Sequence, residues 1–229
     1  MNGEPDISAP ARALGDPARG LMASALLGRR QIPAGELARI AGVAASTASE
    51  HLRVLRSAGI VSVEHRGRAR FYRLANDDVA RAVEALQAVS PRREIRSLTQ
   101  STVSAELRAG RTCYDHLAGD LGLRITDLLV DAGLARGLDV GTVLEAPRPF
   151  PDDDLTRAFG LLPQLGRRPW IRGCLDWSGR RAHVAGQVGA QVLSALDEHG
   201  WIERRASSRA VRLTRRGADE LRSLTDRPA

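Results

Sequence analysis

The sequence predicts a mainly α-helical fold with small β-hairpins, and three observations support this. Most of the 229-residue chain spaces its apolar side chains at helical intervals. Two segments, 60–74 and 201–214, instead alternate apolar and polar residues around a turn. Glycine and proline residues separate these segments along the chain. The length allows two domains, which we expect at 1–95 and 96–229.

The composition limits the classes of protein to which this chain can belong. The net charge is +7 and arginine supplies most of the positive charge. A guanidinium grips two phosphate oxygens at once, although a GC-rich genome would also enrich arginine. No apolar run is long enough to span a bilayer, and no leader pattern opens the chain, so we expect a cytoplasmic protein. Two cysteines argue against a disulfide framework.

The first part of the chain predicts three helices. Residues 10–28 have helical character broken near Asp16, which suits a helix N-cap before a proline. Residues 32–43 predict a short helix. After a short connection, 46–59 predict a second helix that ends at a glycine.

A hairpin and another helix follow. Residues 60–74 alternate in polarity around the basic segment "HRGR", in which Gly67 is free to take a positive φ. Residues 76–89 return to helical spacing, with Asn76 or Asp77 as the predicted N-cap.

This order of helix, short turn, helix and basic hairpin is a DNA-binding layout, a winged helix-turn-helix. The second helix opens with small polar side chains that can approach base edges, and the hairpin carries arginines for phosphates. A generic helical surface with a solvated basic turn is the plain alternative, and the order of elements argues against it. The predicted DNA-binding residues are Ser46, Thr47, Ser49, His51, Arg53, Arg66, Arg68 and Arg70.

Three segments carry a resemblance to a known family: "LGDPARGLMASALL", "GELARIAGVAASTASEHLRVLRSAGIV" and "EHRGRARFYRL". Over residues 8–90 the chain resembles the ArsR/SmtB winged helix-turn-helix repressors. The resemblance implies a homodimer that represses its operator and releases it when an effector binds. It also implies dimer contacts through the helices around 10–28 and 77–90.

By position, the resemblance places Ser46, Thr47, Ser49 and His51 where the family's recognition helix meets bases. The sequence departs from the family pattern in two respects. Ala44 stands where the family often has a Ser or Thr N-cap, so the helix start is weaker, or Ser46 takes that role. The family's metal sites use cysteines on the helix spelled "ELARIA" here, or Asp and His on the last dimer helix. The cysteines and the histidine are missing, so metal sensing does not follow from the resemblance.

The C-terminal half predicts further helices. We expect helical structure over 92–136 with breaks near Gly110 and Gly133, and mainly helical structure over 155–199. We expect a proline-rich loop with at most one short strand over 138–154, and a final helix after the hairpin of 201–214. The order of elements in this half, namely helix, glycine, hairpin and helix, is the same as in the N-terminal half. A second winged-helix-like fragment is therefore predicted, serving in packing or as a secondary phosphate contact.

An internal repeat lies within this half, at 111–135 and 172–202. Each copy contains Arg-x-Cys-x-Asp followed by His-apolar-Ala-Gly, with six residues inserted in the second copy. Two related units with pseudo-symmetry are predicted. The candidate effector or metal residues are Cys113, Asp115, His116, Cys174, Asp176 and His183.

Four interpretations of this repeated set remain open. Thiolate and imidazole groups suit a soft metal or metalloid ion, although the spacing is not a standard metal motif. Alternatively, the cysteines are redox sensors with pKa values lowered by Arg111 and Arg172. Trp170, Trp177 and Trp201 otherwise suggest walls of an organic-ligand pocket. The fourth interpretation is architectural: Arg-x-x-x-Asp is an internal ion pair, and Cys and Gly serve close packing.

Together the patterns predict a DNA-binding transcriptional regulator rather than an enzyme, since no phosphate loop, nucleophile elbow or zinc-protease helix is present. The expected partners are an operator in double-stranded DNA, a second copy of the chain and an effector of unknown identity, with no membrane. The cofactor is unknown. The alternative function is an architectural DNA-binding or protein-interaction module without an effector.

Overall fold

The chain divides into two compact units, Met1–Leu86 and Gln87–Ala229. The domain boundary expected at residue 95 falls in 92–96, outside the residues that the structure describes. This computed structural model describes residues 3–28, 31–91, 97–205 and 208–225.

The first unit follows the predicted order of helices and hairpin. Asp16 caps the second helix by accepting a hydrogen bond from the Arg19 N–H at 3.0 Å, and Pro17 occupies the first turn. Gly42 ends the third helix in the left-handed region. The last helix runs past the unit boundary. The elements are α1 (Ser8–Leu14), α2 (Pro17–Ala25), β1 (Ile32–Pro33), α3 (Ala34–Ala41), α4 (Ala45–Ser57), β2 (Val61–Arg66), β3 (Ala69–Leu74) and α5 (Asp77–Val89).

A three-stranded antiparallel sheet closes this unit, in the order β1-β3-β2. Val61 pairs with Leu74 and Arg66 pairs with Ala69, so the hairpin turns at Gly67, whose φ is +59° as predicted. Buried side chains from the helices and the sheet form the core, and this arrangement confirms the predicted winged helix-turn-helix fold. Fully buried members are Met22, Leu26, Leu27, Leu37, Leu52 and Leu55.

The second unit mixes helices with short strands. Its strands form the pairs β4-β5 and β9-β10 and the three-stranded sheet β6-β7-β8, all antiparallel. The elements are α6 (Leu98–Ala109), β4 (Arg111–Cys113), β5 (His116–Ala118), α7 (Gly119–Asp131), β6 (Val143–Leu144), α8 (Asp154–Ala158), β7 (Ile171–Leu175), β8 (Ala182–Ala185), α9 (Gly186–Glu198), β9 (Ile202–Arg204), β10 (Val211–Leu213) and α10 (Arg215–Thr225).

The breaks expected near Gly110 and Gly133 are present, since α6 ends at Ala109 and α7 ends at Asp131, but the helical expectation over 92–136 and 155–199 missed a hairpin in each range. The first described stretch contains the hairpin β4-β5, and the second contains β7-β8. These strands have three to five residues, too few for a clear alternation. Their turns place Tyr114 and Arg180 at φ +59° and +57°. Neither tyrosine nor arginine is a residue type that predicts this left-handed conformation. Part of the first expectation, 92–96, lies outside the described residues.

The sequence repeat corresponds to a structural repeat. Each copy is a hairpin followed directly by a 13-residue helix, α7 in the first copy and α9 in the second. The copies interlock, because the Val184 N–H of β8 donates to Thr126 Oγ1 of α7 at 2.9 Å. The core between them is aliphatic with a few rings, and includes Leu117, Ile125, Leu129, Phe159, Trp170, Val184, Val188, Val192, Leu196 and Trp201.

The second winged-helix-like fragment is present as α9, β9, β10 and α10. Its hairpin packs onto the first copy, because the Val211 N–H donates to the Gly110 carbonyl at 2.9 Å and Ala210 bridges to Arg111. Arg212 binds Glu203 at 2.7 Å. The fragment thus packs against the first copy, and three of its arginines have acidic partners in their own unit, namely Arg204, Arg205 and Arg212. Across the described ranges, no helix combines the length and the hydropathy needed to cross a bilayer.

A pair of glycines at the two ends of α9 tests this packing. Both have positive φ, +84° at Gly186 and +66° at Gly200. A Cβ at Gly186 would lie 2.8 Å from the carbonyl oxygens of Pro169 and Trp170, whereas a Cβ at Gly200 meets nothing within 4 Å.

We therefore expect Gly200→Ala to lower the free energy of unfolding by about 1–2 kcal/mol, the backbone strain alone. Gly186→Ala adds an overpacking cost and should lose about 2–5 kcal/mol in total. Urea unfolding of the full chain measures both, and equal losses would show that the close approach of Gly186 to the 169–170 backbone is not tight.

Candidate functional site

The first candidate surface is the N-terminal part of α4. Ser46, Thr47 and Ser49 are exposed there, and the Ser49 hydroxyl donates to the Ala45 carbonyl at 2.9 Å. Ala44 is the N-cap, in an extended conformation and with no side-chain hydrogen bond, so Ser46 does not replace it. The helix therefore presents small polar groups to solvent with its first backbone N–H groups uncapped by a side chain, which suits phosphate or base contacts.

His51 and Arg53 differ from these residues. The His51 side chain lies against α2, with Nδ1 3.4 Å from Arg19 Nη1 and 3.9 Å from Asp16 Oδ1, and is only 16% exposed. In this position the His51 side chain is better placed to hold α4 against α2 than to contact a base. Arg53 is exposed and donates to Glu50 at 2.9 Å, so a DNA contact requires it to exchange that partner.

The hairpin carries the second part of this surface. Arg66 is braced, because it binds Glu64 at 2.8 Å and its guanidinium lies 5.0 Å from the centre of the Phe71 ring. Arg68 follows Gly67 at the turn, and Arg70 lies at the start of β3, and both are exposed. The hairpin therefore carries two exposed arginines, Arg68 and Arg70, and one arginine, Arg66, that is held in place by its neighbours. This pattern fits phosphate contacts.

The second candidate site lies where the two copies of the repeat meet. In the first hairpin Cys113 pairs directly with His116, and in the second Cys174 pairs with His183. A residue pair facing across antiparallel strands projects both side chains to the same side of the sheet. Each hairpin therefore offers one thiol and one imidazole together, and the two pairs face each other.

The four donor atoms form one compact group. The cysteine sulfurs and histidine nitrogens all lie within 4.8 Å of one another, and the two histidine Nε2 atoms are 3.1 Å apart. The rings stack with centroids 5.0 Å apart. Cys113, His116 and His183 are buried, while Cys174 is partly exposed. The cysteines of the two copies therefore lie in one site rather than in two separate ones.

Asp115 and Asp176, predicted as members of the same set, stand behind the histidines. Asp115 Oδ1 lies 3.4 Å from Nδ1 of His116, and Asp176 Oδ2 lies 3.8 Å from Nδ1 of His183. Both carboxylates lie near Nδ1, whereas the two Nε2 atoms lie 3.1 Å from each other. They are therefore placed to orient the imidazoles, not to join the four donor atoms.

Each of these carboxylates is neutralised by an arginine. Arg111 and Asp176 form a fully buried pair at 2.9 Å, and Arg168 lies 2.7 Å from Asp115. The architectural interpretation expected an ion pair inside one copy, from Arg111 to Asp115. The structure instead pairs Arg111 of the first copy with Asp176 of the second.

Asp176 also accepts several hydrogen bonds. Its Oδ2 accepts from the Gly119 N–H at 2.7 Å, and its Oδ1 accepts from the Ser178 and Gly179 N–H groups at 2.7 and 2.8 Å. Burial alone raises the pKa of Asp176, but the Arg111 charge and these hydrogen bonds hold that pKa well below its ordinary value. Burial opposes ionisation of Asp115 likewise, and hydrogen bonds from His116 and Arg168 hold its pKa low.

The thiols have an unusual environment. A hydrogen bond from Cys113 and others from the two histidines hold the pKa of Cys174 well below its ordinary value, although burial opposes this. Burial lowers the pKa of His183, which favours the neutral imidazole. The predicted influence of Arg111 on a thiol is not what the geometry shows, since its guanidinium binds Asp176 and covers the Trp177 ring at 4.1 Å.

The tryptophans do not form an open pocket. Trp170 and Trp201 are 3% and 6% exposed and belong to the apolar core, and Trp177 lies under Arg111. Sequence reasoning missed Arg168 and Ser178, which contact Asp115 and Asp176. Arg168 lies outside the repeat, and Ser178 lies in its inserted segment, so neither has a counterpart that would have drawn attention to it.

Comparisons with known proteins match this chain to transcriptional regulators. Residues 14–64 match the model of a helix-turn-helix domain family. The chain is 37% identical over 216 residues to the HTH-type transcriptional regulator YdfF of Bacillus subtilis, covering 93% of this chain and 94% of YdfF. It is 41% identical over 78 residues to the biofilm growth-associated repressor of Agrobacterium fabrum, covering 34% of this chain and 66% of the repressor.

A solved structure is similar in its N-terminal part: the homodimeric winged helix-turn-helix DNA-binding domain of a possible ArsR-family regulator from Mycobacterium bovis. It is 29% identical and covers 39% of this chain and 89% of that domain, with a TM-score of 0.34.

The fold and the exposed surface define a transcriptional regulator of the winged helix-turn-helix class, which confirms the class expected from the ArsR/SmtB resemblance. The chain belongs to the family of HTH-type transcriptional regulators that includes YdfF. The relatives it matches are regulators, which favours regulation over catalysis as its activity.

The buried pair between the copies gives a direct stability test. Asp176→Asn leaves Arg111 buried without its counter-charge, which costs about 3–5 kcal/mol in such pairs. The matched control is Asp127→Asn, which removes an exposed pair with Arg181 between the same copies and should cost about 0–1 kcal/mol. Denaturant unfolding of the full chain compares the two variants, and a mild loss in Asp176→Asn would contradict the central position of this pair.

Proposed function

We propose that the protein is a homodimeric repressor that binds a defined operator through α4 and the β2-β3 hairpin. The observation that carries this proposal is the exposed set on α4, Ser46, Thr47 and Ser49, beside the exposed arginines of the hairpin. Small side chains let a helix enter the major groove closely, while arginines at a hairpin tip reach the sugar-phosphate backbone. The named repressor among the relatives supports repression as the outcome.

Dimerisation is supported by apolar side chains on the two helices that the family resemblance assigns to the dimer. Ile7, at the N-cap of α1, is 76% exposed, and Leu86 in α5 is 49% exposed. Burial of these two side chains against a second chain would remove apolar surface from water, which favours association. The similar domain from Mycobacterium bovis is itself homodimeric.

The effector belongs to the second unit in this proposal. The family's usual metal positions lack their ligands here, whereas the second unit holds the four-donor group of Cys113, His116, Cys174 and His183. Perturbed thiol and imidazole groups gathered in one buried place are typical of sites with a chemical role. Binding at this group is proposed to change operator affinity.

Footprinting on the promoter of the protein's own gene tests the operator. We expect a bounded footprint over inverted half-sites, since a two-fold symmetric dimer contacts two equivalent half-sites. Uniform coating that disappears with salt would instead support the architectural DNA-binding alternative.

Point variants separate the hairpin from the helix. Arg68→Ala should weaken binding to all sequences alike and reduce the slope of log affinity against log salt by about 1. Thr47→Ala and Ser49→Ala should change base preference, with about 1–3 kcal/mol lost at the contacted base pair. The control for one lost charge is Arg136→Ala, an exposed arginine of the second unit. Titrations against operator and scrambled DNA measure these effects, and identical behaviour of all four variants would contradict the assigned surface.

A further inference from the structure

We propose that Cys113, His116, Cys174 and His183 bind one zinc ion in a closed tetrahedral site that joins the two copies of the repeat. This inference deepens the proposed function, because it names the ion held by the group at which effector binding was proposed, and the metal measurements that test it do not depend on operator binding. Its ligand set comes from two hairpins that are more than fifty residues apart in the chain but face each other in the fold.

The donor types select the metal. Two sulfurs and two imidazole nitrogens make a borderline-soft set that suits zinc in tetrahedral geometry and disfavours magnesium and calcium, which take oxygen ligands. On binding, each thiol forms a sulfur–zinc bond and gives its proton to solvent. Two thiolates then balance the charge of one divalent ion, so the buried site carries no net charge.

The distances fit a single ion. Bonds of about 2.0–2.3 Å in a tetrahedron place neighbouring donors about 3.3–3.8 Å apart. In the structure the distances between pairs of donor atoms run from 3.1 Å, between the two histidine Nε2 atoms, to at most 4.8 Å. Closing the longest separation to the tetrahedral spacing requires a movement of about one ångström or less between donors, so side-chain adjustments can bring all four onto one ion. The same spacing leaves no room for a second metal among them.

The histidines are oriented as metal ligands are. Their Nε2 atoms lie 3.1 Å from each other, while each Nδ1 lies near a carboxylate, Asp115 or Asp176. A carboxylate behind the imidazole holds the proton on Nδ1 and leaves the Nε2 lone pair for the metal. His183 Nδ1 is buried and has no hydrogen bond in the described part of the chain, so a small ring movement toward Asp176 on metal binding would satisfy it.

The site is closed rather than catalytic. Four protein ligands fill a tetrahedral coordination sphere, and three of the four residues are buried. No position is left for a substrate. The ion therefore acts as a cross-link between β4-β5 and β7-β8, and its loss should loosen the contact between the copies.

The test uses the full-length protein purified without a tag. We expect one zinc per chain by elemental mass spectrometry and, after exchange with Co²⁺, the intense visible bands of tetrahedral cobalt with a thiolate-to-cobalt charge-transfer band. Cys174→Ser and His183→Gln should lose the stoichiometric metal. His199→Gln, which changes an exposed histidine in the same unit, should keep it.

Asp115→Asn is the second variant, and it keeps all four ligands. As the loss of a positioning residue, it should retain one zinc per chain but weaken zinc affinity about 10–100-fold in a chelator competition. If the ligand variants fail to fold, the wild-type cobalt spectrum decides. A wild-type chain that takes up no stoichiometric zinc or cobalt, or an octahedral cobalt spectrum, would overturn the proposal. Loss of operator binding with intact zinc would instead contradict only the proposed function.

Discussion

The second unit depends on one buried carboxylate, that of Asp176. It binds Arg111 and the Gly119 N–H of the first copy while it lies in the turn of the second copy and faces His183. A carboxylate with no exposed surface must be satisfied by fixed partners, so these contacts fix how the copies meet. Because Arg111 lies in β4, Gly119 directly follows β5 and His183 lies in β8, the same contacts bring the two Cys-His pairs together.

Charge balance explains why so many ionisable groups tolerate burial here. Each aspartate has its own arginine, Arg111 for Asp176 and Arg168 for Asp115. The carboxylates therefore orient the histidines without adding net charge near the thiols. A divalent ion completes the balance at the sulfurs. Buried ion pairs add little net stability against apolar packing, so their benefit here is the specific geometry that they impose on the ligands.

The sequence predicted the first unit well because each element has a local signal, such as the Asp16 cap before Pro17. The repeat also predicted that Cys113 and Cys174 are equivalent. It did not predict the hairpins around them, because strands this short leave no periodicity. Nor did it predict that Arg111 pairs with Asp176 of the other copy. A repeat shows which residues are equivalent, while the partner of each depends on how the copies pack.

The central claim is that two thiols and two imidazoles, one of each from each copy, surround one ion. Zinc K-edge X-ray absorption on the purified wild-type protein tests this claim most directly. The account predicts two sulfur neighbours at about 2.3 Å and two nitrogen neighbours at about 2.0–2.1 Å, with the outer-shell scattering of imidazole rings. A first shell made of oxygen and nitrogen alone, or one with six neighbours, would contradict it.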